Sequence, residues 1–259
     1  MPLLTVDTNA MAQLYPDRAR WRPPVEHDWP TSLAKSRADE VLRHRRSGDD
    51  ENCGRTVTAQ FPPLREGDLA GDPLGQFQSW FDAARAELAL AEAAALATAD
   101  ITAQPAVRMV LVKSWDRRGF VFYSNRESRK GAELLANPRA ALLFHWPSQG
   151  RQVRLEGEVE QVTDEESDAY FESRPRMSQI GAVASAQSRP IAGRPELDRR
   201  VTELETKLRG RAIARPPWWG GYRLQPASYE FWQHQEDRLH DRILYSRQHS
   251  GWRVDRLQP

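Results

Sequence analysis

The sequence predicts an α+β fold, in which antiparallel strands form a barrel and helices are inserted between the hairpins. Two observations support this prediction. Runs rich in valine and aromatic residues occur in pairs joined by short turns, which is typical of β-hairpins. Segments with apolar residues at helical spacing separate these pairs, whereas a parallel sheet would place a helix after nearly every strand. The pattern therefore favours an antiparallel barrel over a βαβ sheet.

The composition excludes several classes of protein. The chain has 259 residues with 37 Lys or Arg and 36 Asp or Glu, and its formal net charge is +1. There is thus no global field for nucleic acid or an anionic membrane, and any anion must be bound locally. The single Cys53 excludes an intrachain disulfide, and the six histidines have no ligand spacing, so we expect no metal. Without a membrane-spanning run or a secretory signal, the sequence predicts a cytoplasmic protein.

Two regions are expected along the chain. Residues 1–63 are predicted to be a disordered N-terminal extension, because prolines, acidic and basic residues mix there without a sustained period. Residues 64–259 are predicted to form the folded domain.

The domain is predicted to begin with a helix. Asp72 can cap it, Pro73 suits its first position, and the apolar stripe that follows would face the core. A hairpin is then predicted from 105–115 and 120–124, and a short helix follows from about Ser128 to the Asn-Pro pair at 137–138.

A second strand pair is predicted at 140–146 and 152–162. Thr163 and Glu166 form a capping box, which opens a helix that ends near Arg174. One more amphipathic helix is predicted around 197–208. The last two strands are expected to be joined around 250–251.

Three side chains near the C-terminus first indicate a binding site. Arg238, His240 and Arg242 occupy alternate positions, so on an extended strand they would share one face. A buried charge is costly unless it is paired, which indicates an anionic ligand on that face. A solvated strand face that carries these charges by chance is the alternative.

A second basic site is predicted at a helix start. Arg129 and Lys130 follow Ser128 in the first turn, where cations oppose the helix dipole. A bound phosphate would make this unfavourable arrangement favourable, because free amides, the dipole and two cations would converge on it. A solvated basic helix start is the alternative.

Further candidates line the strands and helices between these clusters. Arg108 and Lys113 would lie on opposite faces of one strand, and Gln152 offers an amide to a heterocycle. Tyr170, Arg174 and Ser178 would share a face if helical structure continued past Pro175. The alternatives are solvated lysines and arginines and a satisfied core glutamine.

The chain therefore offers two phosphate-binding clusters, with Tyr123 and Trp232 as aromatic walls. Two phosphates indicate two ligands or one long one. There is no G-x-G-x-x-G, no P-loop and no H-E-x-x-H motif, and no nucleophile stands beside a base. We therefore expect a bound cofactor to supply the chemistry.

Eight stretches of the chain resemble the pyridoxine (pyridoxamine) 5′-phosphate oxidase family, FMN enzymes that make pyridoxal 5′-phosphate. They run in family order over roughly residues 64–259, and several are long. They are RMVLVK (108–113), FYSNRESRKG (122–131), RQV (151–153), YFESRPRMSQIGA (170–182), QSRPI (187–191), WWGGYR (218–223), EFWQ (230–233) and RLHDR (238–242).

The resemblance implies a split β-barrel homodimer with FMN at the subunit interface. The FMN contacts that it implies are Arg108, Met109, Val110, Leu111, Val112, Lys113, Tyr123, Ser124, Arg129, Lys130, Gln152, Gln187, Ser188, Trp232 and Arg242. The implied substrate contacts are Lys113, Tyr170, Arg174 and Ser178 for the phosphate, and Arg238, Leu239 and His240 beside the pyridine ring.

The implied reaction is oxidation at C4′ of pyridoxine or pyridoxamine 5′-phosphate, with hydride transfer to flavin N5 and reduction of O2 to H2O2. Arg238 and His240 are the implied catalytic residues. The chain departs from the family at His234 and Gln235, which stand where glycine is usual and can affect substrate access. Two alternatives remain: a related flavin oxidase that acts on another aromatic substrate, as in phenazine assembly, and a non-catalytic flavin-binding barrel.

Overall fold

Eight strands and five α-helices form the part of the chain that the computed structural model describes, residues 61–259. Residues 1–60 of the predicted N-terminal extension lie outside the described part of the chain. The helices are α1 (Pro73–Glu87), α2 (Arg129–Ala136), α3 (Asp164–Ser173), α4 (Arg176–Ala184) and α5 (Arg194–Lys207). The strands are β1 (Ala93–Ala99), β2 (Pro105–Asp116), β3 (Gly119–Asn125), β4 (Arg139–Trp146), β5 (Arg151–Gln161), β6 (Trp219–Gln233), β7 (Asp241–Gln248) and β8 (Gly251–Arg256).

The strands form an antiparallel barrel. Their order is β3-β2-β1-β4-β5-β6, and β3 also pairs with β6, which closes the ring; β7 and β8 continue the sheet beyond β6. Helices α3, α4 and α5 all lie between β5 and β6 in the chain. The prediction of an α+β barrel with inserted helices is confirmed.

Helix α1 covers the barrel core with an aromatic face. Pro73 occupies its first turn, as the sequence predicts. The buried Phe77 ring makes edge contacts with Trp115, Phe120 and Phe144, at centroid distances of 5.3, 4.8 and 5.0 Å. These contacts join α1 to three strands of the barrel, because each partner belongs to a different one.

Strand β1 is absent from the sequence-based prediction. Its sequence is AAALATA, and alanine is depleted in strands and favoured in helices. Tertiary pairing overrides this preference, because β1 lies in register with both β2 and β4. Ala94 and Leu96 face the core and are fully buried.

The predicted end of a helix near Arg174 is confirmed, and the face that Tyr170, Arg174 and Ser178 would share if the helix continued past Pro175 is wrong. Helix α3 ends at Ser173, and Arg174 is extended with φ −74° and ψ 147°. A proline disfavours the helical conformation of the residue before it. Helix α4 begins afresh at Arg176, so Tyr170, Arg174 and Ser178 do not share one helix face.

The predicted strand face at Arg238, His240 and Arg242 is also wrong. A 3-10 turn occupies Glu236–Arg238, and β7 begins only at Asp241. Both Asp237 and Arg238 have left-handed backbones, with φ 55° and 62°. That conformation breaks the strand alternation, so Arg242 alone of the three lies in a strand.

A second, smaller core lies where α3, α4 and α5 pack together beside the start of β6. Its buried members are Phe171, Ile180, Ile213 and Trp219. No helix within residues 61–259 is both long and apolar enough to cross a bilayer.

Candidate active site

The first cluster surrounds the Lys130 ammonium, at the start of α2. Ser128 caps this helix by accepting a hydrogen bond from the Gly131 amide. Lys130 is only 8% exposed, and its Nζ donates to Gln187 Oε1 (2.8 Å), Ser124 Oγ (3.0 Å) and Ser128 Oγ (3.1 Å). All three acceptors are neutral. Burial, with a smaller contribution from Arg108, lowers the pKa of Lys130 to about 8.

The two other cations of this region are paired with Glu133, a residue that sequence reasoning missed. Arg108 Nη2 donates to Glu133 Oε2 at 2.9 Å, and Arg129 Nε donates to Oε1 at 2.7 Å. Thr98 also donates to this carboxylate, at 2.5 Å. Burial opposes the charge of Glu133, but these hydrogen bonds win and its pKa is lowered. The spacing of four residues between Arg129 and Glu133 was the available signal.

An aromatic stack forms the second cluster. The Tyr123 ring lies 3.9 Å from Tyr170 and 5.5 Å from Trp219 between centroids, with interplanar angles of 17° and 10°. Gly221 makes room for this stack, because a Cβ there would lie 2.7 Å from the Tyr123 ring and 2.5 Å from Val162. The glycine is therefore required by close packing.

Arg174 lies against this stack. Its guanidinium carbon is 4.8 Å from the centroid of the Trp219 ring. Its Nη1 is buried and has no hydrogen-bond partner among the described residues. Burial lowers the pKa of Arg174. A buried donor without a partner is a binding group for an anion.

Lys113 stands at a β-bulge in β2, between Val112 and Ser114. Bulges redirect side chains and are common beside active sites. Lys113 Nζ is 3.3 Å from Glu92 Oε1, and Glu92 also contributes to the raised pKa of Tyr170, which burial dominates.

The third cluster is a cavity of about 660 Å³ at the end of β6. It is lined by Trp232, His234, Gln235, Glu236, Asp237, Arg238 and His240. The predicted catalytic pair, Arg238 and His240, is therefore brought together. Leu239, between them, is 68% exposed.

His240 is held in one orientation by the backbone. Its Nδ1 accepts a hydrogen bond from the Gln235 amide at 3.1 Å. Burial, and secondarily His234 and Arg238, lowers the pKa of His240, so its neutral form is favoured at neutral pH. Since Nδ1 accepts, the proton of that neutral ring is on Nε2.

Arg242 lies beside this cavity on β7 and is paired with a carboxylate. Its Nε donates to Glu230 Oε1 at 2.8 Å, and Arg154 also donates to Glu230, whose side chain is only 7% exposed. Glu230 was missed by sequence reasoning. Trp232 and Gln152 are cross-strand neighbours next to this pair.

The remaining predicted residues are scattered. On β2, Met109 is 64% exposed and Leu111 39%, whereas Val112 is in the core and Val110 packs against it. Ser178 is exposed on α4, and Ser188 is exposed with a left-handed backbone of φ 72°.

Two of the three clusters are far apart within one chain. Trp219, in the aromatic stack, begins β6, and Trp232, in the cavity, lies thirteen residues further along it. At about 3.3 Å per residue, that is roughly 40 Å along the strand. Among the described residues, none of the hydrogen bonds or ion pairs of His240 and Arg242 reaches the Lys130 or Arg174 cluster.

The chemistry of these clusters is that of anion binding and aromatic stacking. Within residues 61–259 there is no group of three or more His, Cys, Asp or Glu side chains that could hold a metal ion. The geometry thus defines an antiparallel barrel with two separate cationic clusters, a chemistry that suits anionic, planar ligands.

Comparisons with known proteins agree with this class. Residues 81–208 match the family model for pyridoxamine 5′-phosphate oxidase. Residues 219–259 match the model for the pyridoxine 5′-phosphate oxidase C-terminal dimerisation region.

Individual relatives are similar over most of their length. The chain is 55% identical over 198 residues to the pyridoxine/pyridoxamine 5′-phosphate oxidase of Cupriavidus taiwanensis, covering 76% of this chain and 93% of the relative. It is 54% identical over 197 residues to the enzyme of the same name from Rubrobacter xylanophilus, covering 76% and 91%.

Solved structures share the fold. PhzG from Burkholderia lata 383, in complex with tetrahydrophenazine-1-carboxylic acid, has a TM-score of 0.72 and 32% identity, covering 77% of this chain and all of PhzG. An FMN-binding protein of Nostoc punctiforme related to pyridoxamine 5′-phosphate oxidase has a TM-score of 0.60 at 15% identity, covering 74% and 100%.

The fold and the site therefore define a flavoprotein oxidoreductase of the split-barrel type. More specifically, the chain belongs to the pyridoxamine 5′-phosphate oxidase family, and it is an enzyme.

Proposed function

We propose that this protein uses FMN to oxidise pyridoxine 5′-phosphate or pyridoxamine 5′-phosphate to pyridoxal 5′-phosphate. One observation carries the proposal: Lys130 and Arg174 are two separate cations whose donors lack an anionic hydrogen-bond partner. Two phosphates would satisfy them, one from the cofactor and one from the substrate. The names of the relatives with more than half of their residues identical support this choice of ligands.

The residues around Lys130 fit the FMN phosphate. Ser124, Ser128 and Gln187 provide neutral polar groups around the buried ammonium, and Arg108 and Arg129 lie on the neighbouring Glu133. Glu133 keeps those arginines oriented without neutralising Lys130. Gln152, Trp232 and Arg242 provide an amide, an indole face and a guanidinium for the flavin ring system.

The residues around Arg174 fit the substrate phosphate. Arg174 and Lys113 are cations, and the Tyr170 hydroxyl and the exposed Ser178 add neutral donors. Arg238 and His240 take the catalytic positions beside the substrate ring. Neutral His240 donates from Nε2 to the pyridine substituents, and Arg238 closes over the ring, which aligns C4′ for transfer.

FMN held by these residues would supply the hydride acceptor, N5, and O2 would be the final oxidant, reduced to H2O2. The protein orients the two ring systems. We expect Arg238→Ala and His240→Ala to lose most turnover and still purify with yellow colour. Normal activity in both variants would contradict their assignment.

An absorbance spectrum tests the reaction directly. Anaerobic addition of pyridoxamine 5′-phosphate to the yellow holoenzyme is expected to bleach the flavin band, and admission of air should restore it with release of peroxide. Bound FMN without bleaching would instead support a non-catalytic flavin-binding barrel. Colourless protein that takes up no added FMN would contradict the whole proposal.

The similarity to PhzG favours one other candidate, oxidation of a phenazine precursor. PhzG is 32% identical to this chain, whereas the Cupriavidus oxidase is 55% identical. Oxygen uptake with pyridoxamine 5′-phosphate and with a reduced phenazine carboxylic acid would separate the two activities.

We also propose that the enzyme is a homodimer and that its second copy completes the site. The outer surface of β2 exposes Val107 (70%), Met109 (64%) and Leu111 (39%), and Ala95 continues this apolar face on β1. The match of residues 219–259 to a dimerisation region supports a second copy, and the apolar face of β1 and β2 is proposed as a further part of its interface. Met109→Asp is expected to give monomers in light scattering, whereas Leu135→Asp, on the exposed side of α2, should not.

Complementation tests whether subunits share the site. Arg174→Ala and His240→Ala should each be nearly inactive alone. If the phosphate cluster of one subunit works with the catalytic loop of the other, mixed dimers regain one intact site, and a randomly mixed sample recovers about a quarter of wild-type activity. No recovery in verified mixed dimers would place both groups in one subunit's site.

A further inference from the structure

Arg174 is supported by aromatic rings, unlike two other arginines of the candidate site. Arg108 and Arg242 are each paired with a buried glutamate. The Arg174 guanidinium carbon lies 4.8 Å from the Trp219 ring centroid and 5.7 Å from that of Phe171. Within residues 61–259, no carboxylate forms an ion pair with Arg174.

The kind of support decides which donors stay available. A carboxylate occupies N–H groups of the guanidinium, whereas an aromatic ring attracts the cation through its π face and leaves the in-plane N–H groups open. The buried Nη1 of Arg174, which has no hydrogen-bond partner among the described residues, is one such open donor. Arg174 can therefore be fixed in place and still give its donors to a ligand.

Trp219 is itself rigidly held. Its side chain belongs to the smaller core and is 6% exposed, and its ring stacks near Tyr123 at 5.5 Å. Its backbone carbonyl accepts a hydrogen bond from Arg215 Nη1 at 2.7 Å and remains available whatever the side chain. The indole is thus a fixed platform beneath Arg174.

We propose that Trp219 is a positioning residue for substrate phosphate: its indole face holds the Arg174 guanidinium so that the N–H donors point to the phosphate. The inference rests on the proposed function and adds to it. Trp219 acts on the phosphate through Arg174, and its loss should therefore affect phosphorylated substrates more than substrates without a phosphate.

The test compares pyridoxamine 5′-phosphate with pyridoxamine, using holoenzyme. For Trp219→Leu we expect kcat/KM for the phosphorylated substrate to fall about 3- to 30-fold, mainly through KM, as the loss of a cation–π contact implies. The value for pyridoxamine, which has no phosphate, should fall less, so the ratio of the two kcat/KM values should fall. Trp219→Phe keeps an aromatic face and should give an intermediate loss.

Trp80→Leu is the matched control. Trp80 is 4% exposed and also carries a cation, because Arg151 lies 4.4 Å from its ring centroid. It belongs to α1 and the main core, so the ratio of the two kcat/KM values should stay at the wild-type level even if the variant is less stable.

A double-mutant cycle with Arg174→Ala identifies the group through which Trp219 acts. In an Arg174→Ala background, Trp219→Leu should leave the ratio unchanged. Equal losses for both substrates, or a further loss in that background, would overturn the proposal. If Trp219→Leu fails to fold, the same comparisons with Trp219→Phe decide.

The failure of the proposed function has a different signature. Wild-type holoenzyme that oxidises neither compound would refute that function. The role of Trp219 would then be tested by ligand binding instead of by turnover. The ratio of the dissociation constants of pyridoxal 5′-phosphate and pyridoxal, from flavin absorbance, then replaces the kinetic ratio. An unchanged binding ratio in Trp219→Leu would overturn the inference.

Discussion

If the FMN phosphate binds at Lys130, as proposed, the buried ammonium makes FMN binding depend on pH in a specific way. Its pKa is lowered from 10.5 to about 8, chiefly by burial, because its hydrogen-bond acceptors are neutral. A bound phosphate favours the charged form and raises this pKa again. Above about pH 8, FMN binding must therefore be accompanied by proton uptake, and affinity falls as pH rises.

The magnitude follows from the pKa. One pKa unit corresponds to about 1.4 kcal/mol, so the buried charge of Lys130 costs the FMN-free fold about 3 kcal/mol. Between about pH 8 and 10.5 the unfolded chain binds more protons at this lysine than the folded chain does, so this contribution to the free energy of unfolding increases with pH. Phosphate binding recovers part of the cost, since each charge-assisted hydrogen bond contributes about 1.5–3 kcal/mol.

Fluorescence titration of the FMN-free protein from pH 7 to 9.5 measures the effect. The dissociation constant of wild type should change little below about pH 8 and then rise by up to about tenfold per pH unit. Lys130→Met should bind about 10- to 200-fold more weakly at pH 7 and lose this pH dependence. Lys130→Arg keeps the charge and should also have a flat profile.

Riboflavin is the matched ligand, because it lacks the phosphate and should bind wild type without the loss above pH 8. Two results would refute the reasoning. One is a wild-type FMN affinity that stays constant to pH 9.5, and the other is an unchanged pH profile in Lys130→Met.

Two further predictions concern the packing around the site. Gly221→Ala places a methyl group 2.7 Å from the Tyr123 ring, so we expect a lowered melting temperature and weaker substrate binding; Gly181→Ala, with nothing within 4 Å of its Cβ, should be neutral or slightly stabilising. Glu230→Gln removes the charge that holds Arg242. We expect the free energy of unfolding, measured with urea, to fall by about 1–2 kcal/mol, a value kept small because the arginine is partly exposed. We also expect weaker FMN binding. A Glu230→Gln protein as stable as wild type, with unchanged FMN affinity, would contradict the role of this pair.

Much of the fold could be predicted because local signals agree with tertiary structure. The Pro73 helix start, the capping box at Thr163 and the hairpin turn that ends at Gly119 are each specified by a few adjacent residues, and the structure contains all three. Strand β1 was not predictable in this way, since its alanines form a strand only because β2 and β4 flank it.

The loop at Arg238 shows a different limit. Alternation of charged residues predicts a strand only if every backbone can be extended, and the left-handed conformations of Asp237 and Arg238 depend on tertiary structure. Similarly, the sequence indicates that Arg174 is cationic but not that a tryptophan 45 positions later supports it. The residue types of the site were predictable, and Glu133 could have been found as the i,i+4 partner of Arg129, whereas no local spacing indicates that Glu230 pairs with Arg242.

Strand β6 connects the stability of the barrel to both halves of the site. It pairs with β3, β5 and β7, and it carries Trp219 at one end and Trp232 at the other. Deleting one residue from its middle would turn the side chains beyond the deletion to the opposite surface of the sheet. Such a deletion would thus turn Trp219 and Trp232 away from each other's side of the sheet while both side chains remained intact, so β6 can accept substitutions far more easily than a change in its length.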